Sequence, residues 1–306
     1  MLAILCPGQG SQKPGFMNSW LELPEYRSTL EAMSDEISLD LIKHGTISDE
    51  ETIRDTAIAQ PLIVSASIAT AKLLDLSSDQ AVAGHSVGEV AAAQIAGILN
   101  QEQAMQLVNL RAQAMAKAAA SSEKTGMAAI LGGEVATIIA RLNELGLSAA
   151  NYNGAGQIVA AGSAEGIAAL VAQGPEGSKV IPLSVAGAFH TKYMEPAVSE
   201  LGAFVSTLSV KDATKTLWSN QAGQVVSSGI GFLDLLVGQV ANSVRWDLCM
   251  DAMVAAGVTA VIEVSPAGTL AGLAKRGMPG VEIVALKEPK DLDAAKDLIS
   301  RTSEVK

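Results

Sequence analysis

The sequence predicts an α/β protein in which helices cover a mostly parallel sheet and a smaller mixed unit is inserted into the chain. The length of 306 residues suffices for one large domain with an insert. Hydrophobic residues make up 49% of the chain and aromatic residues 3%. The core must therefore consist mostly of Ala, Val, Leu, Ile and Met, which suits helices packed on a parallel sheet. Short apolar runs also alternate with longer helical stretches.

The first third of the chain supplies two buried strands and a group of helices. Leu2–Cys6 is an apolar run that stops at Pro7, which predicts a strand followed by a tight turn. Gln80–Ala83 is a second apolar run, and it enters Gly84. The other predicted elements here are helical, at 20–75 with polar breaks at 44–50, and at 88–118 with an interruption at 97–100.

The segment 126–184 contains short predicted strands and helices, in contrast to the longer helical stretches of the rest of the chain. Its predicted elements, in order, are a strand at Met127–Leu131, a helix at Val135–Leu145, strands at Ser148–Tyr152 and Gln157–Ala161, a helix at Ala164–Ala172 and a strand at Lys179–Leu183. The β-α-β-β-α-β order is the split arrangement of a ferredoxin-like unit. We therefore expect a ferredoxin-like subdomain at 124–187, inserted into a larger α/β domain formed by 1–123 and 188–306.

The last third of the chain returns to long helical stretches, which begin at Ala197. Ala260–Val264 is one further short strand, and the turn 265–268 leads from it into a helix. The tail from Lys287 is charged, and we expect a frayed helix there.

Composition excludes several classes of function. The net charge of −11 argues against nucleic acid and anionic membrane as main partners, because both require a basic surface. Cys6 and Cys249 match no metal spacing and form no disulfide framework, so we expect reduced thiols, a cytoplasmic protein and no metal or cofactor. The N-terminus lacks the features of a signal peptide, and no apolar stretch reaches the length of a membrane span.

Gly84-His85-Ser86-Val87-Gly88 follows an apolar strand and precedes an Ala-rich helix. Gly-x-Ser-x-Gly in that context is the pattern of a nucleophile elbow, a strained turn that must be flanked by small residues. The following helix directs free N–H groups at the serine, so the amide of Val87 can stabilise an oxyanion. The sequence therefore predicts Ser86 as a nucleophile, against the alternative of a glycine-rich turn with an incidental serine.

A serine nucleophile needs a general base, and the chain has three histidines. His85 is adjacent to Ser86, so its ring should point away from the hydroxyl. His44 is placed at the end of a helix and is most simply a solvated residue. Elimination predicts His190 as the base. The sequence singles out no acid to orient it, and a backbone carbonyl could serve instead.

Two more polar residues have both a structural and a functional interpretation. Arg111 lies on an otherwise apolar helix. It could form a surface salt bridge, or its planar fork could bind a substrate carboxylate. Gln9 follows the first strand in a glycine turn. It could be an ordinary turn residue, or it could supply a second oxyanion amide at the end of a strand, where ligands bind in α/β sheets.

Taken together, these motifs resemble those of the malonyl-CoA:acyl carrier protein transacylases of type II fatty acid synthesis. The resemblance extends from Met1 to about Lys287. The matching segments occur in the family's order and spacing: Pro7-Gly8-Gln9-Gly10-Ser11-Gln12, Gly84-His85-Ser86-Val87-Gly88-Glu89, Arg111, Asn153 with Gly156-Gln157, and Gly187-Ala188-Phe189-His190. The combination is much more specific than the elbow alone.

The resemblance implies an α/β-hydrolase-like large domain with a ferredoxin-like small one. It also implies roles for individual residues: a catalytic dyad of Ser86 and His190, oxyanion amides at Gln9 and Val87, and substrate binding by Arg111, Gln9, Asn153 and Phe189. In the family a main-chain carbonyl orients the histidine near an Asn-Pro-Val-Gln/Arg-Trp segment. The matching stretch is 242–246, with Ser243 in place of proline, and we assign the carbonyl to Arg245.

The implied partners are malonyl-CoA and an acyl carrier protein. Carrier proteins of this kind are typically acidic, as this chain is, so docking requires a local basic patch. Lys192, Lys275 and Arg276 are candidates, although ordinary solvated side chains are an equal alternative. Three other functions stay open: a thioester hydrolase with the same dyad, a non-catalytic scaffold, and malonyl transfer that serves polyketide synthesis or malonate breakdown.

Overall fold

Two five-stranded sheets organise the protein in the computed structural model, which describes residues 1–185 and 187–303. The first sheet has the order β10-β9-β1-β2-β7, and its strands are β1 (Leu2–Cys6), β2 (Ala81–Gly84), β7 (Leu217–Trp218), β9 (Ala260–Glu263) and β10 (Glu282–Ala285). The second has the order β6-β3-β5-β4-β8, and its strands are β3 (Thr125–Gly132), β4 (Ser148–Gly154), β5 (Gln157–Ser163), β6 (Ser178–Leu183) and β8 (Val244–Arg245).

Helices surround both sheets. In chain order they are α1 (Pro24–Ile37), α2 (Leu41–Thr46), α3 (Glu50–Arg54), α4 (Thr56–Lys72), α5 (Gly88–Ile95), α6 (Gln101–Ser121), α7 (Val135–Glu144), α8 (Ala164–Ala172), α9 (Glu195–Val205), α10 (Gly229–Gln239), α11 (Trp246–Ala255), α12 (Thr269–Gly277) and α13 (Asp291–Ser303). Within residues 1–185 and 187–303, none of these combines the length and apolar character that a bilayer span requires.

The first sheet is parallel throughout, and β1 lies at its centre between β2 and β9. Every residue of β1 is buried, because a central parallel strand is covered by helices on both faces. The helix α4 is buried along most of its length and packs against α6, which explains its nearly continuous apolar sequence. The carboxyl ends of β1 and β2 bring the turns at Gly8 and Gly84 side by side, where His85 N donates to Cys6 O.

The second sheet is antiparallel across β6, β3, β5 and β4. Its apolar core includes Ile138 and Leu142 of α7 and Ile167 and Leu170 of α8. The predicted helices and strands of 126–184 all occur, to within a few residues at their ends. One strand was not predicted: β8 comes from far along the chain and pairs in parallel with β4. That strand ties the second sheet to the later part of the chain.

The chain end differs from the sequence expectation. The helix α13 is not frayed over the residues that the structure describes, since Ala295 and Leu298 are fully buried. Arg301 also bonds Glu282 of β10 at 2.8 Å. The expectation of fraying was wrong because the charged residues lie on one face of an amphipathic helix, whose other face packs on the domain. Residues 304–306 lie outside the described part.

Candidate active site

The serine of the Gly-x-Ser-x-Gly motif lies in a strained turn between β2 and α5. Ser86 has φ 53°, a left-handed conformation that non-glycine residues rarely adopt. A Cβ on Gly84 would lie 2.1 Å from the carbonyl carbon of Gly88, and one on Gly88 would lie 2.2 Å from Cys6 O. Both positions therefore require glycine, as the motif predicted. The turn holds Ser86 above the carboxyl end of the first sheet.

His190 is the histidine that meets this serine. Its Nε2 lies 2.7 Å from Ser86 Oγ, although the two residues are 104 positions apart. Its Nδ1 lies 2.8 Å from the main-chain oxygen of Gln239. Because a carbonyl oxygen can only accept, Nδ1 carries the proton and Nε2 is left to accept the serine hydroxyl. The pair is in the geometry of a nucleophile and its base.

The carbonyl that orients His190 belongs to Gln239, and the assignment to Arg245 was wrong. Gln239 is the last residue of α10, and the final carbonyls of a helix lack partners within the helix. Arg245 lies in β8 beside Tyr152 of the second sheet, and its N–H donates to Asn220 O. Ser243, which replaces the family's proline, donates its hydroxyl to Ala149 O at 2.6 Å. That bond anchors the segment to the second sheet.

The environment of His190 keeps its ring neutral. The side chain is 5% exposed. Burial, together with the nearby positive charge of Arg111, lowers the pKa of His190 to about 3, whereas the bond to the Gln239 carbonyl acts in the opposite direction. A neutral imidazole at physiological pH can accept a proton from Ser86.

The other two histidines do not reach the serine hydroxyl. The ring of His85 turns away, as expected, and its Nε2 lies 2.9 Å from Asn153 Oδ1 of β4. It also meets Trp246 edge-on, and burial lowers its pKa. His44 is in α2, half-buried rather than fully solvated, with Nδ1 3.0 Å from Ser48 Oγ. His85 thus joins the serine turn to the second sheet.

Two main-chain amides are free to stabilise negative charge beside Ser86. Within the part of the chain that the structure describes, neither Val87 N nor Gln9 N has a hydrogen-bond acceptor. The side chain of Gln9 is engaged elsewhere, with Nε2 3.3 Å from Thr56 Oγ1. Both residues follow the ends of neighbouring strands, β1 and β2, where the sequence predicted a pair of oxyanion amides.

Arg111 is buried, so its interpretation as a surface salt bridge fails. The side chain is 1% exposed, with Nη1 2.7 Å from Gln60 Oε1 and Nη2 2.9 Å from Gln239 Oε1. Its Nε has no partner among the described residues. Burial lowers the pKa of Arg111 to about 10, which still leaves a cation at neutral pH. A buried cation with an unsatisfied donor is suited to receive an anion.

Sequence reasoning missed the amide side chains that hold these groups in place. Asn220 Oδ1 accepts from Ser86 N at 2.7 Å, and its Nδ2 donates to Gly84 O at 2.7 Å, so this residue clamps the strained turn. Gln60 and Gln239 hold Arg111. Gln60 did carry a signal, because it is a polar residue within the apolar run of α4. The residues around Asn220 and Gln239 form no pattern that marks either of them as part of a site.

A cavity of about 700 Å³ joins these groups and lies between the two sheets. The predicted site residues on its wall are Gln9, Ser86, Arg111, Asn153, Phe189 and His190. Of the three docking candidates, Arg276 lines the cavity, with Nη2 3.4 Å from Gln157 Oε1. Lys275 and Lys192 are exposed, and Lys192 is two residues from His190. The cavity is large enough for a small acyl group with an extended arm.

The strained serine bonds a neutral histidine in a cavity that also contains a buried arginine, and two neighbouring main-chain amides lack acceptors among the described residues. This combination defines an α/β protein of the serine acyl-transfer class. Comparison with known proteins makes this more specific. Residues 4–290 match the acyl transferase domain family, and the chain belongs to that family.

Curated relatives and solved structures agree with this membership. Malonyl CoA-acyl carrier protein transacylase of Mycobacterium tuberculosis is 45% identical over 303 residues, which cover 97% of this chain and all of the relative. The Escherichia coli protein of the same name is 31% identical, with 97% of this chain and 99% of the relative covered. The crystal structure of MCAT from Mycobacterium tuberculosis has a TM-score of 0.92 and 44% identity, with 97% and 99% coverage. A malonyl-transacylase in complex with a type II polyketide acyl-carrier protein has a TM-score of 0.90 and 28% identity, with the same coverage.

Proposed function

We propose that this protein transfers the malonyl group from malonyl-CoA to the phosphopantetheine thiol of an acyl carrier protein, for fatty acid synthesis in the cytoplasm. The observation that carries the proposal is the presence of Arg111 in the same cavity as the Ser86–His190 pair. A serine and histidine alone suit any acyl group, whereas a buried guanidinium selects an acyl group with a carboxylate. The names of the relatives agree with that choice.

The first half of the reaction loads the serine. His190 Nε2 removes the proton from Ser86 Oγ as the oxygen attacks the thioester carbonyl of malonyl-CoA. The amides of Gln9 and Val87 stabilise the oxyanion of the tetrahedral intermediate. The carbon–sulfur bond then breaks, His190 returns the proton to the departing CoA thiolate, and a malonyl-Ser86 ester is left.

The second half repeats these steps with a different thiol. The phosphopantetheine thiol of the carrier protein enters after CoA has left, and His190 removes its proton as it attacks the ester. The ester bond breaks and His190 returns the proton to Ser86. One histidine serves both halves because its tautomer is fixed by the Gln239 carbonyl. The scheme is ping-pong.

We further infer that the cavity lies between an α/β-hydrolase-like large domain, formed by 1–123 and 188–306, and a ferredoxin-like subdomain at 124–187. The antiparallel order β6-β3-β5-β4, covered by α7 and α8, supports the second part. The parallel first sheet with a strained serine after β2 supports the first. Asn153 of the small unit faces the site through its bond to His85.

The test compares two fates of the malonyl group. The protein is mixed with malonyl-CoA, with and without a phosphopantetheine-bearing acyl carrier protein, and free malonate and malonyl-carrier are measured over time. We expect rapid transfer with the carrier and little free malonate without it. Rapid release of malonate in the absence of the carrier would contradict the proposal and indicate a hydrolase with the same Ser–His pair.

The same assay tests how the carrier protein docks. We propose that Lys192, Lys275 and Arg276 form the basic patch that an acidic carrier meets. Replacement of Lys192 and Lys275 by Glu should raise the KM for the carrier protein and leave the KM for malonyl-CoA unchanged, because both are exposed and lie outside the cavity wall that Arg276 joins. The effect should weaken at high salt. An unchanged KM for the carrier protein would exclude this surface.

A further inference from the structure

A buried carboxylate lies behind the candidate active site and has no part in the proposed chemistry. Glu89 is in the first turn of α5, three residues after Ser86, and is 1% exposed. Its Oε1 accepts from Asn220 N at 2.6 Å, and its Oε2 accepts from Gln239 Nε2. Burial raises the pKa of Glu89 to about 8, whereas the Asn220 N–H and the nearby positive charge of Arg111 act in the opposite direction and favour the ionised form.

The amide of Gln239 stands between this carboxylate and Arg111. Its Nε2 donates to Glu89, and its Oε1 accepts from Arg111 Nη2 at 2.9 Å. A carboxylate can only accept and a guanidinium can only donate, so these two neighbours fix which way the amide points. Gln239 Nε2 also lies 3.2 Å from Asn220 Oδ1 and 3.3 Å from Ser86 O, so Glu89 Oε2 is the nearest of its three acceptors.

Because Glu89 reaches Arg111 only through the Gln239 amide, Arg111 keeps hydrogen-bond donors for a substrate carboxylate. In the described part of the chain, the acceptors of its guanidinium are two glutamine oxygens, and its Nε is unsatisfied. A carboxylate in direct contact would compete with an incoming carboxylate for the same donors. A carboxylate held one amide away instead offsets the buried positive charge and leaves donors for the acyl group.

We propose that Glu89 is a positioning residue for malonyl selectivity, which acts through the Gln239 amide to hold the Arg111 guanidinium in place for the acyl carboxylate. This inference rests on the proposed function. Glu89 does not touch the substrate. Its contribution is to set the direction of one amide and, through it, the direction of one cation.

The test replaces Glu89 with its neutral isostere and measures kcat/KM for malonyl-CoA and for acetyl-CoA. In Glu89→Gln, an NH2 group replaces one of the two oxygens that accept Asn220 N and Gln239 Nε2, and the negative charge is lost. The Gln239 amide then loses its charged acceptor, keeps the longer bonds to Asn220 Oδ1 and Ser86 O, and holds Arg111 less firmly. We expect the malonyl-to-acetyl ratio of kcat/KM to fall by about tenfold, mainly through a higher KM for malonyl-CoA, because a hydrogen bond to a charged group is lost. Acetyl transfer should persist.

Glu263→Gln is the matched control. Glu263 is another buried carboxylate, but it accepts main-chain amides at the start of α12, from Gly268, Leu270 and Ala271. This variant should lower the melting temperature and keep the wild-type malonyl-to-acetyl ratio. An equal fall in the ratio for both variants would overturn the proposal, because loss of any buried carboxylate would then suffice.

Two further variants test the proposal without relying on Glu89→Gln alone. Gln239→Leu removes the connecting amide but keeps the main-chain carbonyl that orients His190, so it should lower the ratio as Glu89→Gln does. In an Arg111→Ala background, Glu89→Gln should cause no further fall. Wild-type ratios in both single variants, or additive losses in the double variant, would overturn the role of Glu89. A wild-type protein without any malonyl preference would instead contradict the proposed function.

Discussion

At the scale of single residues, Ser86 bonds His190, and each is supported by an amide or carbonyl that lies far away in sequence. Ser86 stands in a motif that leaves little freedom, and a chain with three histidines leaves few candidates for its base. The supports are common amides whose partners lie far away in sequence. Gln60 and Gln239 meet Arg111 across 51 and 128 positions, and no local pattern records such a pairing.

The main-chain carbonyl that orients His190 also could not be identified from the sequence. Every residue has a main-chain carbonyl, so residue type carries no information about which one accepts from His190 Nδ1. The family resemblance placed it in 242–246, whereas in the structure it is Gln239 O at the end of α10, which also accepts from Asn242 N at 3.1 Å.

The first residue-scale prediction concerns the pH dependence of stability. The pKa of His190 is lowered to about 3 by burial, from an ordinary value of 6.5. Below pH 6.5 the unfolded chain takes up a proton that folded His190 does not, so His190 subtracts from stability as the pH falls. The loss is about 1.4 kcal/mol per pH unit in this window.

The matched variant is His190→Asn, which keeps a donor for the Gln239 carbonyl but does not titrate. Urea unfolding at pH 7, 6 and 5 gives the free energy of unfolding of both proteins. Below pH 6.5, the free energy of unfolding of the wild type minus that of the variant should decrease as the pH is lowered. A difference that does not change with pH would mean that His190 titrates normally in the folded state.

At the scale of elements, the helices and strands predicted from the sequence occur where the periodic pattern of apolar residues extends over several positions. The strands and helices of 126–184 were found because each has several residues of clear periodicity. The strands β7 and β8 have two residues each and are defined by their neighbours alone. The strand β10 is only partly buried, which weakens its apolar signal. Short and edge elements are fixed by tertiary contacts.

The strand-to-helix turn gives the element-scale prediction. In Gly84→Ala the new Cβ would lie 2.1 Å from the carbonyl carbon of Gly88, which is backbone and cannot move aside without shifting α5. We expect a loss of about 3 kcal/mol or more in the free energy of unfolding. Activity should fall with it, because Ser86 and Val87 belong to the same turn.

Gly202→Ala is the control for this prediction. Gly202 is inside α9, and a Cβ there would meet Val237 Cγ1 at 3.9 Å, an ordinary contact. Alanine should add about 0.5–1 kcal/mol to stability in the middle of a helix. Chemical denaturation of both variants gives the two values. A Gly84→Ala protein as stable as the wild type would show that the turn does not need glycine.

At the scale of the whole molecule, the site depends on two sheets that meet at one cavity. Ser86 follows a strand of the first sheet, Asn153 belongs to the second, and His190 lies on the chain that returns from the second unit. The two sheets of a mixed α/β fold were predictable from the element order. Their contact was not, since it rests on the parallel pairing of β8 with β4, which joins distant parts of the chain.

The central claim is that Ser86 carries the malonyl group between two thiols. Mass spectrometry of the intact protein after exposure to malonyl-CoA tests it most directly, with Ser86→Ala as the control and an acyl carrier protein added in a second step. We predict one malonyl adduct, located at Ser86 by peptide mapping, absent from the variant and lost when the carrier thiol becomes malonylated. An adduct at another residue, an adduct on the Ser86→Ala protein, or one that the carrier cannot remove would contradict the account.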